Sequence, residues 1–177
     1  ANEAVVASKI AFEQKNRPSL VLLTRQGLPV LDRDVYPKPC SLEYGGYVIS
    51  DSEKPEILIF ATGSEVWVAL DTKEKLVDKG YSVKVVNLSC WELFEDQSEE
   101  YKNKVLKSEN DTLLVSIEAG ITDGWQKFTG RNGLNIGINT FGESGPGIDV
   151  ANHFGITVDN LYQKIIDRME NKWLNII

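Results

Sequence analysis

The chain has 177 residues, of which 42% are hydrophobic and 25% are charged, a composition typical of a globular protein with a full-sized core. Its net charge of -7 and pI near 4.8 argue against nucleic-acid binding, because a phosphate backbone attracts clustered Lys and Arg side chains. Only Cys40 and Cys90 are present, and no apolar run approaches the roughly 20 residues of a membrane span, so we expect free thiols in a reducing compartment and no membrane anchor.

The first thirty residues predict one helix and one strand. Apolar residues recur at helical spacing from about Glu3 to Gln14, and the apolar run Ser19–Leu23 predicts a buried strand. A single helix and strand cannot satisfy the strand's edges or cover its leucines, so we expect them to be the remnant of another α/β domain. The proline-rich, aperiodic stretch 29–39 that follows indicates a linker between domains.

After the linker, strands and helices alternate. The predicted strands are Ile57–Ala61, Val83–Leu88, Thr112–Ile117 and a candidate strand at Ile136–Phe141. The predicted helices are Glu65–Lys79, one near Glu99–Lys107, and Val158–Trp173. Strands rich in Val, Ile and Leu on both faces belong in a parallel sheet covered by helices. The expected fold class is therefore α/β, a three-layer α/β/α domain with a mostly parallel sheet, preceded by the helix-strand remnant.

Local motifs support the helix boundaries. Thr62-Gly63-Ser64-Glu65 matches a capping box, Gly80 lies where a left-handed C-cap is needed, and Thr157 can cap the last helix. The helix after Thr62 carries an apolar stripe that we expect to face the sheet. The stripe comprises Val66, Ala69, Leu70, Leu76 and Val77.

Most residues that could carry chemistry favour a structural role. The single histidine, His153, lies on a short amphipathic segment before Gly155, with no nucleophile assigned beside it. The string Gly142–Pro146 resembles a nucleophile elbow, but its second glycine is displaced, which favours a tight turn. An acidic group is typical of a solvated helix start rather than a metal site, and comprises Glu95, Asp96, Glu99 and Glu100. The tryptophans are expected to anchor a core or interface, and are Trp67, Trp91, Trp125 and Trp173.

Two features could bind an anion. The turn 62–64 follows a predicted strand at the edge where open α/β sheets bind ligands, although a plain strand-to-helix turn is the favoured interpretation. A regulatory or nucleotide-binding domain using the strand ends near Thr62, Gly63 and Asn87 is therefore an alternative function. Arg25 follows the predicted strand Ser19–Leu23, so its guanidinium could bind a phosphate or carboxylate with two hydrogen bonds. Its spacing is equally compatible with an ordinary surface arginine.

Five strings resemble, in order, segments of transketolases. Pro-Ser-Leu-Val-Leu-Leu-Thr-Arg-Gln-Gly-Leu-Pro at 18–29 resembles the end of that family's middle domain. The others resemble strings of its C-terminal region and are Tyr44–Val48, Phe60–Val66, Ser89–Phe94 and Phe141–Pro146. Thr24-Arg25-Gln26 together with Trp91-Glu92-Leu93-Phe94 favours transketolase over dehydrogenase β-subunits and deoxyxylulose phosphate synthase. Around Asn139–Glu143 the chain departs from the family's usual Asp-Arg-Phe-Gly-Ala string.

The resemblance implies a cytoplasmic homodimeric transferase that uses thiamine diphosphate and Mg²⁺ or Ca²⁺ to move two-carbon ketol units between phosphorylated sugars in the pentose phosphate pathway. It implies that residues 1–31 are the tail of the middle, pyrimidine-binding domain, 32–45 a linker, and 46–177 the C-terminal domain. In that family the cofactor, the metal and the catalytic groups lie elsewhere, so we expect none in this chain. Arg25 matches the arginine that binds the substrate's phosphate. The C-terminal domain is expected to support folding and the dimer, which leaves a pure dimerisation module as a further alternative.

Overall fold

The computed structural model describes the backbone of residues 1–174 and the side chains of residues 1–171. Its sheet has five strands, which are β1 (Tyr47–Ser50), β2 (Ile57–Ala61), β3 (Val83–Asn87), β4 (Leu113–Ile117) and β5 (Leu134–Ile136). Their order across the sheet is β1-β3-β2-β4-β5. The β2–β3, β2–β4 and β4–β5 pairs are parallel, and β1 alone is antiparallel to its neighbour β3. The predicted mostly parallel sheet is thus confirmed.

The helices described are α1 (Asn2–Glu13), α2 (Glu65–Asp78), α3 (Trp91–Glu95), α4 (Glu99–Leu106), α5 (Gln126–Thr129), α6 (Gly147–Phe154) and α7 (Val158–Leu174), with a 3₁₀ helix at Pro39–Tyr44. Among the described residues, no helix is long and apolar enough to cross a membrane. The three long predicted helices α2, α4 and α7 are confirmed to within one residue at each end.

Alternate residues of β2 enter two separate cores, one on each face of the sheet. Ile57 and Ile59 pack with residues of α2 and α7, whereas Leu58 and Phe60 pack with residues of α3, α4 and Trp125. All five residues of β2 are buried. This alternation of side chains is the basis of the three-layer α/β/α architecture.

The boundaries of α2 confirm one capping prediction and correct another. The Gly80 N–H donates to Val77 O at 2.8 Å and the Tyr81 N–H to Leu76 O at 3.0 Å, with Gly80 at φ +97°, so a glycine-terminated C-cap is present. The capping box is wrong, because no side chain caps the helix start and Glu65 bonds elsewhere. Val77, expected in the buried stripe, is 48% exposed.

The first of the sequence predictions to fail is the strand Ser19–Leu23, which forms no strand. Leu20 and Leu22 are each 83% exposed. A β-strand needs a neighbour for its backbone N–H and C=O groups, and no strand of the described sheet lies beside this run. The helix of the expected remnant is therefore present as α1, whereas its strand is absent.

The candidate strand at Ile136–Phe141 is also misplaced, since β5 ends at Ile136. Directly after it the Ile138 N–H donates to Gly120 O at 2.7 Å, so the chain turns to bond with the loop after β4. Phe141 is 97% exposed. Sequence periodicity also left out β1 and the short helices α3 and α5, which span four or five residues and carry little pattern.

Candidate functional site

Arg25 lies in an exposed segment between α1 and the sheet domain. We name residues 14–31 the bridging segment. It is exposed throughout 15–30, and the hydroxyl of Thr24 donates to the side-chain oxygen of Gln26 beside Arg25. Among the described residues, no hydrogen bond or ion pair engages the Arg25 guanidinium. Its five donors are therefore available to a ligand.

Both ends of the bridging segment are attached to the sheet domain. At its C-terminal end, Leu31 is buried in the core and Trp67 Nε1 donates to Pro29 O at 3.1 Å. Near its N-terminal end, Arg17 forms an ion pair with Asp96 at 2.8 Å. Arg25 thus lies on a span of chain whose two ends are fixed while its middle faces solvent.

A second polar group joins α1 to the edge of the sheet. We name Glu3, Arg33, Tyr47 and Asn87 the Glu3 cluster. Oε1 of Glu3 accepts hydrogen bonds from the hydroxyl of Tyr47 and, at 3.1 Å, from Asn87 Nδ2. Arg33 Nη2 lies 3.6 Å from the same oxygen, and Arg33 Nη1 donates to Pro37 O at 2.6 Å. Three elements distant in sequence therefore converge on one carboxylate.

The environment of Tyr47 keeps its hydroxyl a donor. Burial, followed by the hydrogen bond to Glu3 and its negative charge, raises the pKa of Tyr47 to about 12. The phenol therefore stays protonated, and can donate to Glu3, to a higher pH than an ordinary tyrosine would. Asn87, whose amide donates to the same carboxylate, also accepts through its own oxygen from the hydroxyl of Ser89.

Elsewhere, the carboxyl edge of β2 and β4 is occupied by the protein's own carboxylates. Glu65 is buried, and its Oε2 accepts the Ala119 N–H at 3.0 Å while Oε1 accepts from Ser64 Oγ at 2.7 Å. Glu118 Oε2 accepts the Trp125 Nε1–H at 2.8 Å. A phosphate at this edge would meet two acidic side chains, and the Ala119 amide is already bonded to Glu65. This arrangement disfavours the nucleotide-binding alternative, and Asn87 is likewise engaged within the Glu3 cluster.

Among the described residues, no hydrogen bond joins the remaining candidate residues His153 and Ser144. His153 is exposed and its ring lies 4.8 Å from that of Phe154, and Ser144 lies in an exposed loop before α6. Within the described residues, no three His, Cys, Asp or Glu side chains are placed to hold a metal ion, and both Cys40 and Cys90 are free thiols.

The acidic residues near α4 and the tryptophans have structural contacts. Asp96 pairs with Arg17, and Glu95 pairs with Lys127. Trp125 is fully buried with the ring of Trp91 edge-on at 4.9 Å, as expected of a core anchor. The side chain of Trp173 lies outside the described residues.

The sequence predicted Arg25 but did not predict the Glu3 cluster. One feature could have indicated it, because Asn87 is a polar residue within a run of apolar strand residues and a buried amide needs hydrogen-bond partners. The partner could not be inferred, since Glu3 lies 84 positions away along the chain.

Comparison with known proteins decides the family. A protein-family model, that of the transketolase-like C-terminal domain, matches residues 45–157 of this chain. The chain belongs to the transketolase family. Transketolase from Aquifex aeolicus is 47% identical over 169 residues, which cover 95% of this chain and 24% of that protein. Chloroplastic transketolase from Solanum tuberosum is 43% identical, with 89% of this chain and 21% of that protein covered.

Solved transketolases share the fold of this chain as well as its sequence. The structure of transketolase from Pichia stipitis in complex with sedoheptulose-7-phosphate superposes with a TM-score of 0.85 and 34% identity, covering 94% of this chain and 24% of that one. The chain spans about a quarter of the length of the transketolases that it matches.

Proposed function

We propose that this chain is the C-terminal part of a cytoplasmic transketolase that transfers two-carbon ketol units between phosphorylated sugars of the pentose phosphate pathway. Family membership over nearly the whole chain supports this proposal. A relative of the same fold binds sedoheptulose-7-phosphate, a sugar phosphate of the proposed substrate class. On this proposal the chain alone is inactive and supports the fold and a homodimer.

Arg25 is the residue that we propose to bind the substrate's phosphate. The observation that carries this role is its unengaged guanidinium, exposed on a segment whose two ends are fixed. A guanidinium presents paired N–H donors that match two phosphate oxygens, and a charge-assisted pair of this kind is stronger than a neutral hydrogen bond. Arg25 would therefore bind the substrate at its phosphate end, away from the carbons that react.

The described residues do not fit the cofactor of this family. Thiamine diphosphate and its Mg²⁺ or Ca²⁺ need converging oxygen ligands and free donors for the diphosphate. Within the described part of the chain no acidic group of that kind converges, and the strand-end amide of Ala119 is already bonded to Glu65. We therefore propose that the cofactor and metal bind to other parts of the enzyme, and we assign no step through them to this chain.

The test of the Arg25 role is a substrate comparison in the longer transketolase that contains this chain. Arg25→Ala should raise KM for a phosphorylated sugar by about tenfold or more, as expected for the loss of a hydrogen bond to a charged group. The same variant should leave KM for an unphosphorylated sugar within about twofold. Arg131→Ala removes another exposed guanidinium and is the matched control. An unchanged KM for the phosphorylated sugar would refute the role.

The alternative of a nucleotide- or cofactor-binding domain is tested on the chain by itself. A calorimetric titration of the 177-residue chain with thiamine diphosphate and Mg²⁺ should give no saturable heat. Parallel titrations with ATP and with inorganic phosphate cover the regulatory alternative. Saturable binding of any of these ligands at micromolar concentration would show that the domain has a ligand site of its own.

A further inference from the structure

We propose that Glu3 is a positioning residue, whose carboxylate fixes the two ends of the bridging segment relative to each other and so holds Arg25 in place. This inference rests on the proposed role of Arg25. The direct observation is that α1, which precedes the segment, and the turn that contains Arg33, which follows it, are joined through one carboxylate oxygen. On this proposal Glu3 acts through the backbone of the bridging segment and makes no contact with the substrate.

α1 is attached to the sheet domain by lying against the 3₁₀ helix Pro39–Tyr44 and by the hydrogen bonds of the Glu3 carboxylate. No residue of α1 is fully buried, and only Val6 and Ala7 pack against the main core. The opposite face is open, with Phe12 90% exposed. A 12-residue helix is marginal by itself in water, so its persistence depends on the contacts it makes with the rest of the protein. Glu3 provides the polar part of those contacts.

The partners of Glu3 belong to rigid parts of the structure. Tyr47 begins β1 and Asn87 ends β3, and these two residues face each other in the strand pairing. A carboxylate that is bonded to both residues is therefore fixed in position relative to the sheet. At Glu3, the side chain is mostly shielded, with 25% of its area exposed, so solvent weakens its interactions less than it would at an open surface.

The Arg33 side of the cluster is also preformed. The backbone turns tightly here, with the Tyr36 N–H donating to Asp32 O at 2.9 Å and the Asp34 N–H donating to Asp32 Oδ1 at 2.9 Å. Arg33 Nη1 donates to Pro37 O within the same turn. The guanidinium is held by its own turn and directs Nη2 to Glu3, whereas its buried Nε has no partner among the described residues. A fixed turn and a fixed strand pair therefore share Glu3.

The consequence for Arg25 is geometric. Between the Arg17 ion pair and the Trp67 bond to Pro29, the bridging segment has no other hydrogen bond to the sheet domain among the described residues. Within this chain, the path of the segment therefore depends on where its ends are held. Release of α1 would leave the N-terminal end held by the exposed Arg17–Asp96 ion pair alone, and Arg25 would sample positions from which it cannot meet the phosphate of a correctly placed sugar.

The first arm of the test uses the 177-residue chain and hydrogen exchange measured by mass spectrometry. Glu3→Ala should raise amide exchange in residues 2–13 by about tenfold or more, because local opening becomes easier. Glu3→Gln, which retains an oxygen to accept from Tyr47 and Asn87, should give a smaller increase. Glu13→Ala is the control, since it removes an exposed carboxylate from the same helix. Exchange that is equal in Glu3→Ala and the control would overturn the inference.

The second arm uses the longer enzyme and separates this inference from the proposed function. Glu3→Ala should raise KM for a phosphorylated sugar by about threefold to tenfold, while kcat and KM for an unphosphorylated sugar stay within about twofold, and Glu3→Gln should restore part of the loss. If Arg25→Ala raises KM but Glu3→Ala does not, positioning by Glu3 is refuted and the Arg25 role stands. If Arg25→Ala has no effect, the proposed function of Arg25 fails, and the exchange arm alone decides whether Glu3 holds α1.

Discussion

The central strands and the bridging segment are both rich in leucine, isoleucine and valine, yet the strands are buried and the segment is exposed. Leu58 of β2 is fully buried, whereas Leu22 of the bridging segment is 83% exposed. The difference lies in neighbours, because β2 pairs on both sides with β3 and β4, and the run around Leu22 pairs with no strand. The stability of the chain therefore resides in the sheet domain, while the proposed substrate contact resides in a segment that adds little to it.

The largest effect on the free energy of unfolding is expected at Gly45, which packs closely against the backbone around Cys90 and Phe94. Its φ is +76°, and a Cβ there would lie 2.3 Å from Cys90 O and 2.4 Å from Phe94 N. Gly45→Ala should lower the free energy of unfolding by about 3–5 kcal/mol, from strained backbone and overlap with backbone atoms that cannot move aside. Urea unfolding of the 177-residue chain measures this loss.

The control for Gly45 is Gly63, whose φ is also positive at +57° but whose Cβ would meet nothing within 4 Å. Gly63→Ala should cost only the conformational part, about 1–2 kcal/mol. Equal losses in the two variants would mean that close packing around Gly45 is not what sets its effect.

A smaller loss of folding stability is expected when Glu65, at the carboxyl edge of the sheet, is replaced. Glu65→Ala removes a charge-assisted hydrogen bond to the Ala119 N–H and leaves a gap in a buried site, so it should destabilise the chain by about 2–3 kcal/mol. Glu65→Gln should cost less, because an amide oxygen can still accept that N–H. Glu74→Ala on the exposed face of α2 is the control, and a loss as large as that of Glu65→Ala would contradict this assignment.

The strands that sequence patterns located best are the ones that are buried on both faces. The run Ile57–Ala61 is continuous, apolar and rich in β-branched residues, and the strand has those bounds in the structure. The run Ser19–Leu23 has the same kind of composition and forms no strand. A local sequence pattern indicates that a segment can form a strand. Whether it pairs depends on residues distant in the chain, which the local pattern does not contain.

The same reasoning separates the two parts of the candidate site. Arg25 could be proposed from its place after an apolar run and from a resemblance that a short string carries. The Glu3 cluster could not, because its members come from α1, the Arg33 turn, β1 and β3 and meet only when the sheet forms. Glu65 shows a related failure, since its spacing from Thr62 predicts a capping box while its carboxylate reaches the next strand end at Ala119.

The stability that the Glu3 cluster contributes is expected to fall at high pH. The folded chain raises the pKa of Tyr47 from its usual 10 to about 12, so the folded state retains the phenol proton more tightly than the unfolded state does. The resulting stability is present below pH 10 and is lost as pH rises through about 12. We expect a loss of about 1–2 kcal/mol, less than two full pKa units would give, because solvent near the cluster screens the charge.

Urea unfolding at pH 9 and pH 11 measures this dependence. In Tyr47→Phe the fall in stability between these two pH values should be smaller than in the unmodified chain. A pH dependence that is identical in Tyr47→Phe and the unmodified chain would show that the cluster does not hold the phenol proton.

The smallest effect on the free energy of unfolding is expected from a substitution in the bridging segment. Leu22→Ala should change the free energy of unfolding of the 177-residue chain by less than about 0.5 kcal/mol, as for other exposed positions. The matched change Leu58→Ala in β2 should cost about 2–5 kcal/mol. If Leu22→Ala destabilises the chain as much as Leu58→Ala, the bridging segment packs against a surface in solution, and the contrast between the two regions is wrong. If it does not, the run around Leu22 is free to pair with another part of the enzyme, and Leu22→Ala should then destabilise the longer transketolase more than the chain alone.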